Sequence, residues 1–331
     1  MIDLSGKTIL LIAPSFFGYE KAISQKLQDW GGKVDYYDER PTNSFWDKSL
    51  IRLNKKLIKR KINKYYNYIY DNISQNRYDY VLVINIEAMP IKFLYKLREN
   101  KISSRFILYM WDSIFNKRET FEYLSFFDVV YSFDDNDCAK YSNIKFRPLF
   151  YLDEYKLLKE KNTGYLYDVS FIGTAHSDRL TILNKLKKSI DSYSMSCYLY
   201  VYLQSRKLYL WNKLTNSSFK NIKIRDCNYV SLSKSNVISI IRDSKIIIDI
   251  QHPGQNGLTM RTIEMLGAER KLITTNISIE KYDFYRPENI CIIDRNNPRI
   301  PSDFFNTSYV PLERDLYYKY SLDGWLTEIL N

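Results

Sequence analysis

Short apolar runs alternate with amphipathic stretches along this chain, and the alternation occurs twice. In the first half, strand-like runs lie near residues 8–13, 33–37, 79–85, 105–110 and 128–132, and helix-like stretches near 18–30, 46–75, 90–99 and 118–125. Strands that alternate with helices predict a parallel sheet covered on both faces. The pattern therefore predicts an α/β fold and excludes all-helical and all-β classes.

The second half restarts the same pattern after a charged segment, residues 153–165, which we interpret as a linker. Strands are predicted at 168–172, 196–202, 221–225, 246–250 and 271–275, with helices near 178–191, 205–215 and 233–242. We therefore predict a first domain over residues 1–152 and a second over 166–312. The last segment, 313–331, is predicted to be helical.

The stretch 249–276 carries the strongest functional signal. A buried strand leads into a polar loop and then an amphipathic helix, with candidate ligand-binding residues His252, Gln255, Asn256, Gly257, Leu258, Thr259, Arg261 and Glu264. A helix amino terminus has unpaired N–H groups and a positive dipole end, so a diphosphate can bind there beside the Arg261 guanidinium. The alternative is an ordinary capped helix, with Arg261 and Glu264 as a solvated i, i+3 pair.

Other candidate residues directly follow strands, where open α/β sheets bind ligands. The loop after the first strand, Ser15, Phe16, Phe17 and Gly18, is predicted to bind an acceptor or to be only a turn. Trp111 and Asp112, after the fourth strand, combine an aromatic ring and a carboxylate, which suits a sugar. In the second domain a phosphate fits at Gly173, Thr174, His176 and Arg179, although Ser177 or Asp178 can equally be a plain helix cap.

Several segments together resemble GT-B glycosyltransferases of the bacterial lipopolysaccharide and capsule biosynthesis type with a CgeB-like (glycosyl transferases group 1) C-terminal domain. They are GKTILLIAPSFFGYE, YDERP at 37–41, LYMWDS at 108–113, RPLFY at 147–151, SFIGTAHSDR at 170–179 and the stretch 249–276. The resemblance implies two Rossmann-like domains whose parallel sheets face each other across a cleft. It also implies that Glu264 binds the nucleotide ribose, that loop residues near it bind the diphosphate, and that the last helix packs back on the first domain.

This resemblance implies transfer of a sugar from a nucleotide-sugar donor to a lipid-linked or oligosaccharide acceptor, with no cofactor and no bound metal. Positive groups at Arg261, Arg179 and His252 would then balance the departing diphosphate. Asp135-Asn136-Asp137 has the form of a metal-binding DxD pair but is predicted to begin a helix. Asp112 is the first candidate for the catalytic base and Glu20 the second.

The stereochemical outcome and two other function classes stay open at this point. Asn256 stands where many retaining relatives carry the first of two glutamates, so the inverting reaction is favoured. A GT-B nucleotide-sugar epimerase would use the same donor site without an acceptor. A non-catalytic binding module or a nucleic-acid binder is the third class. No helix-turn-helix, RNP motif or zinc finger is visible, so we expect no nucleic-acid partner.

Composition points to an anionic partner, because 49 Lys and Arg outnumber 38 Asp and Glu. Residues 48–73 hold eight basic residues and one acid, Asp71, with apolar residues at helical spacing. Such a helix can lie on an anionic membrane or be a core helix with a solvated basic face. No export signal, no run of about 18 apolar residues and no paired cysteine spacing is visible. We therefore expect a cytoplasmic protein, peripheral on the inner face of the plasma membrane.

Overall fold

A computed structural model describes residues 2–44, 47, 51, 54–114, 117–160, 164–216, 219 and 222–331. Contacts divide the chain into two compact units. Unit 1 comprises Met1–Leu149 and Leu322–Asn331, and unit 2 comprises Phe150–Ser321. Within the described ranges, no helix is long and apolar enough to cross a membrane.

Unit 1 is built on a six-stranded parallel sheet in the order β2-β1-β3-β4-β5-β6. The strands are β1 Thr8–Ala13, β2 Lys33–Asp38, β3 Tyr80–Ile84, β4 Phe106–Met110, β5 Val129–Ser132 and β6 Ile144–Phe146. Ile12 of β1 lies between Tyr37 of β2 and Val83 of β3. The strand order therefore reverses between β1 and β3, which places a ligand-binding crevice at the carboxyl ends of these strands.

In the Met1–Leu149 part of unit 1, the helices are α1 Tyr19–Asp29, α2 Lys59–Ile73, α3 Ile91–Glu99 and α4 Asp135–Lys140. Two of the predicted helical stretches are partly or wholly 3-10 helix, at Lys55–Ile58 and Arg118–Phe126. The prediction for Asp135-Asn136-Asp137 is confirmed, because these residues begin α4 and the Asp134 side chain caps it at Asn136 N–H, 3.1 Å away.

Helix α2 buries its apolar face in the core of unit 1. Ile62, Tyr66, Ile69 and Ile73 recur every three or four residues and are at most 4% exposed. The interpretation as a core helix with a basic outer face is therefore the correct one for this part of the 48–73 stretch. Insertion of this apolar face into a bilayer is excluded, and residues 48–50, 52 and 53 lie outside the described residues.

Unit 2 is built on a five-stranded parallel sheet in the order β11-β10-β9-β7-β8. The strands are β7 Tyr167–Thr174, β8 Cys197–Tyr202, β9 Ser244–Asp249, β10 Lys271–Thr274 and β11 Ile290–Ile292. The helices are α5 Asp153–Lys156, α6 Arg179–Ser192, α7 Arg206–Thr215, α8 Lys234–Arg242, α9 Met260–Ala268, α10 Ser302–Asn306 and α11 Arg314–Lys319. Strand order reverses here between β7 and β9.

One strand prediction is wrong. The alternating run near residues 221–225 suggested a strand, but Ile224–Asp226 form a 3-10 helix. Instead of a neighbouring strand, the Tyr209 hydroxyl and the Lys213 ammonium bind the Ile222 carbonyl, each at 2.8 Å. The Ile222 carbonyl therefore accepts its hydrogen bonds from side chains and not from a strand, which the sequence pattern alone could not indicate.

The carboxyl-terminal segment, predicted as one helical stretch, consists of two helices. Helix α11 ends at Lys319 in unit 2, and α12 (Leu322–Leu330) packs in unit 1. Trp325 is fully buried against Tyr109, with ring centroids 4.8 Å apart, and Arg147 Nε lies 2.7 Å from Glu328 Oε2. The end of the chain thus contributes core and an ion pair to the first unit.

Gly267 in α9 packs directly against the side chain of Tyr151. A Cβ at this position would lie 2.7 Å from Tyr151 Cβ and Cδ2, and the Tyr151 side chain is only 1% exposed. We expect Gly267→Ala to lower the free energy of unfolding by about 1–3 kcal/mol, because a buried ring must move. Thermal denaturation tests this. Gly254→Ala is the matched control, because its Cβ would meet nothing closer than 3.5 Å. Equal melting temperatures for both variants would contradict the packing argument.

Candidate functional site

In unit 2, Arg179 ties together the two loops that flank the reversal of strand order. Its guanidinium donates from Nε to the Ile250 carbonyl (2.9 Å), after β9, and from Nη1 to the Thr174 carbonyl (2.9 Å), at the end of β7. The residue is 8% exposed. A Cβ at Gly173 would lie 3.0 Å from Arg179 Nη1. Arg179 and Gly173 therefore shape the loops, and the predicted role of Arg179 at the diphosphate stays a prediction.

Arg295 makes a third connection, which the sequence did not indicate. Its guanidinium binds both carboxylate oxygens of Asp178 at 2.8 and 3.1 Å, the Thr275 hydroxyl at 2.9 Å and the Gln251 carbonyl at 3.0 Å. Asp178 occupies the cap position of α6 but makes no side-chain cap bond. The plain-cap interpretation of Asp178 is therefore wrong, and its carboxylate instead holds Arg295 between three loops.

The side chain of Asn276 holds the polar loop before α9 in place. Its side-chain amide lies 3.3 Å from both the Asn256 and Gly257 carbonyls and is almost fully buried. Gln255 binds the Gly257 carbonyl as well (3.2 Å), and Leu258 is 2% exposed. Leu258 therefore anchors this loop by its burial, and hydrogen bonds hold the polar residues beside it in place.

The two histidines of the chain meet at this surface. The rings of His176 and His252 have centroids 5.6 Å apart, and His176 Nδ1 lies 3.0 Å from the Ser177 hydroxyl. Burial, followed by the neighbouring Arg179 and His252, lowers the pKa of His176 to about 4. His176 is therefore neutral near pH 7 and offers hydrogen bonds rather than charge. The sequence had placed both histidines in candidate loops, and the structure brings these loops together.

The amino end of α9 is capped by Thr259, whose hydroxyl accepts from Thr262 N–H at 3.2 Å. Both threonine hydroxyls donate to the buried Asp249 carboxylate at the end of β9. Arg261 and Glu264 form an ion pair at 3.0 Å, with side chains 20% and 9% exposed. The alternative of a capped helix with an i, i+3 pair is thus correct in geometry, but the pair is mostly buried rather than solvated.

Glu264 also faces Tyr155 of α5. Burial, and then the Glu264 carboxylate, raises the pKa of the Tyr155 hydroxyl. A ribose hydroxyl bound at Glu264 would therefore share this carboxylate with Arg261 and Tyr155. The ribose-binding role of Glu264 stays a prediction.

In unit 1, Glu20 organises the loop after β1. Its carboxylate accepts from Phe16 N–H at 3.0 Å and from the Ser15 hydroxyl at 3.3 Å, and it is 2% exposed. Arg40 donates to the Ser15 carbonyl at 2.6 Å. A catalytic base must reach its substrate. Glu20 is buried and holds this loop in place, and its role as the second candidate base stays a prediction.

The rest of this loop forms an aromatic surface. Gly18 has φ +79° and Phe17 has φ +48°, so the chain turns sharply into α1. Phe17 is 70% exposed and Phe16 37% exposed, and the Phe16 ring lies 5.6 Å from the Trp111 ring. The predicted acceptor loop and the residue after β4 are thus neighbours. Exposed aromatic faces of this kind suit stacking on sugar rings.

Asp112 lies at the carboxyl end of β4, with its side chain 49% exposed. Its Oδ2 accepts from Lys117 Nζ at 2.6 Å and from Asn85 Nδ2 at 3.2 Å. Lys117 and Asn85 also bind Glu87 Oε1, at 3.1 and 3.2 Å. Asn85 is fully buried with φ +54°, an unfavourable backbone for a non-glycine residue that is often retained at functional sites. Of the two candidate bases, Asp112 is therefore the one whose carboxylate is both held in place and exposed to solvent.

Beneath this group lies Glu39, a fully buried carboxyl. Its Oε1 accepts from three successive backbone N–H groups, of Glu87, Ala88 and Met89, at 2.8, 2.6 and 2.8 Å. Burial outweighs these bonds and raises the pKa of Glu39 to about 7. Glu39 thereby fixes the loop after β3 that carries Asn85 and Glu87.

The fold of this chain is similar to that of several solved structures. No family model matches the chain, and no curated protein matches it in sequence. Among solved structures, an alpha-glucosyltransferase in complex with UDP and a 13-mer DNA containing a central A:G mismatch is 14% identical, with a TM-score of 0.62, over 98% of this chain and 95% of that one. Anabaena HepE in complex with UDP and glucose is 10% identical, with a TM-score of 0.56, over 98% and 99%.

A protein from Listeria monocytogenes named as a UDP-N-acetylglucosamine 2-epimerase is also similar, at 10% identity and a TM-score of 0.52, over 98% of this chain and 95% of that one. Identities this low support a statement about fold and not about activity. The prediction of the GT-B fold, with two parallel-sheet α/β domains, is confirmed. The roles of the individual site residues, and the expectation that no metal takes part, stay predictions.

Proposed function

We propose that this protein is a glycosyltransferase that transfers a sugar from a nucleotide-sugar donor to a hydroxyl of a lipid-linked or oligosaccharide acceptor. The observation that carries the proposal is in unit 2. Side-chain hydrogen bonds connect the loops after β7, β9 and β10 at the reversal of strand order. The imidazoles of His176, before α6, and His252, before α9, meet there. The fold likeness supports it too, because two of the similar structures contain UDP.

The donor diphosphate is assigned to the amino end of α9. Backbone N–H groups and the positive end of the helix dipole attract phosphate there, and Arg261 adds a charge-assisted bond. Arg179 and Arg295 contribute positive potential from fixed positions, because backbone carbonyls and Asp178 hold their guanidinium groups. This arrangement stabilises the charge that develops on the departing diphosphate without reorganisation during the reaction.

The acceptor is assigned to unit 1. Phe16, Phe17 and Trp111 offer aromatic faces to a sugar, and Asp112 removes the proton from the attacking hydroxyl. Lys117 and Asn85 orient this carboxylate. We further propose the biosynthesis of a bacterial surface polysaccharide, such as the lipopolysaccharide O-antigen or capsule, at the cytoplasmic side of the membrane.

Thermal-shift measurements with UDP-, GDP-, CMP- and dTDP-sugars test the donor site. We expect one nucleotide class to raise the melting temperature by a few degrees, as a ligand well above its dissociation constant does. Arg261→Ala and Glu264→Ala should weaken that donor by about tenfold to a hundredfold, the effect of one charge-assisted hydrogen bond. Arg242→Ala is the matched control, because Arg242 is a half-exposed arginine of unit 2 whose partner is its neighbour Asp243. Donor shifts that are equal in all three variants would contradict the assignment.

Epimerisation of a nucleotide-sugar is the second candidate, because a protein named as an epimerase has the same fold. An epimerase converts the donor alone and releases no acceptor product. Incubation with a single sugar nucleotide, followed by mass spectrometry and chromatography, separates the two functions. An isomeric nucleotide-sugar formed in the absence of acceptor would replace the transferase proposal.

A further inference from the structure

Helix α7 of unit 2 exposes an apolar face. Leu210, Trp211 and Leu214 are 58%, 65% and 85% exposed, whereas Tyr209 on the inner side of the same helix is 7% exposed. Positions 210, 211 and 214 lie on one side of a helix, because their spacing matches one helical turn. Isolated exposed leucines are ordinary, but a contiguous apolar stripe marks an interaction site.

The segment that follows α7 carries two more exposed apolar side chains. Ile224 is 45% exposed and Val230 is 74% exposed. The Arg206 guanidinium lies 5.8 Å from the centre of the Tyr229 ring, and the Tyr229 hydroxyl binds the Ile224 carbonyl at 3.1 Å. These contacts hold the segment beside the start of α7. We call the surface formed by Leu210, Trp211, Leu214, Ile224 and Val230 the α7 face.

The charge around the α7 face is mainly positive, with one carboxylate, Asp226, between Ile224 and Val230. From Leu203 to Arg225 the sequence contains no acidic residue and six basic ones, Arg206, Lys207, Lys213, Lys220, Lys223 and Arg225. Lys220 lies outside the described residues, and Arg206 and Lys207 are exposed at the amino end of α7. The exposed apolar face is thus flanked by positive charge.

We propose that the α7 face binds the surface of an anionic lipid bilayer. Leucine and tryptophan enter the boundary between headgroups and acyl chains, and flanking lysines and arginines contact anionic headgroups. Protein interfaces, in contrast, are depleted in lysine at their centres. Helix α2, another basic helix, buries its apolar face in its own core, and its exposed side chains are mostly charged or polar.

Vesicle co-sedimentation tests this proposal with the full chain. We expect the protein to sediment with phosphatidylglycerol-containing vesicles and not with phosphatidylcholine vesicles, and high salt should weaken binding. The double variant Trp211→Ser, Leu214→Ser should bind about tenfold or more weakly, because two apolar side chains no longer enter the lipid. Leu57→Ser is the matched control, since Leu57 is 70% exposed beside α2. It should bind like the parent.

Tryptophan fluorescence gives a second readout. Vesicles should shift the emission of the parent to shorter wavelength, and Trp211→Phe should remove most of that shift while keeping vesicle binding. The proposal is overturned if the parent does not bind anionic vesicles, if the double variant binds as well as the parent, or if only Leu57→Ser loses binding. A parent that self-associates through the α7 face and ignores vesicles would also overturn it.

The donor thermal shift of the double variant serves as the folding control. It should equal that of the parent, because none of the donor-site contacts described above involves the α7 face. A parent that responds to no sugar nucleotide but binds vesicles through Trp211 would refute the proposed function and leave this inference standing. The opposite result would refute this inference alone.

Discussion

Asp112→Asn is expected to lower the turnover number by about a hundredfold to ten-thousandfold, the usual contribution of a general base. The amide keeps the size of the side chain but cannot take a proton from the attacking hydroxyl. Because Asp112 lies in unit 1 and the donor is assigned to unit 2, the thermal shift with the donor should not change. Release of the donor nucleotide in the presence of acceptor, or its slower release by hydrolysis, measures the effect.

Glu119→Gln is the control for this experiment. Glu119 is a carboxylate of the same unit, 78% exposed and paired with Lys55 at 2.6 Å, and its loss should leave turnover within about twofold. If Asp112→Asn retains parental turnover with donor binding intact, another group acts as the base, and the account of unit 1 is wrong.

Glu39→Leu is expected to destabilise unit 1 by about 3–9 kcal/mol at pH 5. The substitution leaves three buried N–H groups, at 87–89, without their acceptor, and each such group costs about 1–3 kcal/mol. Glu39→Gln keeps an acceptor oxygen and is the matched control. Thermal denaturation and hydrogen exchange of the 87–89 amides measure the loss. Parental protection in Glu39→Leu would contradict the role of this carboxyl.

The same residue makes the stability of unit 1 depend on pH. With a pKa of about 7 in the fold and about 4.5 unfolded, Glu39 binds more protons in the folded state between these values. Stability therefore falls as the pH rises from about 4.5 to 7, by about 3 kcal/mol in total. Glu39→Gln should lose this dependence and exceed the parent in stability at pH 8. An unchanged pH dependence in Glu39→Gln would show that Glu39 does not titrate in this range.

Periodicity predicted the sheets because strands buried on both faces read as continuous apolar runs. It missed β6 and β11, since each has only three residues and little apolar length to recognise. The rule that ligands bind after strands directed attention correctly to the loops after β7 and β9. Applied to β3, the same rule would have indicated Asn85 and Glu87.

Contacts between residues distant in sequence were beyond prediction from the sequence. Arg295 lies 117 residues from Asp178, and Lys117 lies 30 residues from Glu87, so neither spacing nor residue type marked them. Burial was equally hidden. Glu20 and Arg179 had the right residue types for chemistry, but their side chains are used to hold loops. Helices α2 and α7 both combine basic and apolar residues, but the apolar face of α2 is buried in a core and that of α7 is exposed to solvent. Tertiary packing decides this difference, and the sequence of the helix does not.

Photoaffinity labelling tests most directly the claim that unit 2 binds an activated sugar at the amino end of α9, with an azido derivative of the nucleotide-sugar that gives the largest thermal shift as the probe. We expect the cross-linked peptides to come from residues 251–264 or 173–179, and an excess of the same unlabelled nucleotide-sugar should prevent their labelling. Labelling confined to unit 1, or labelling that the unlabelled nucleotide-sugar does not reduce, would contradict this claim.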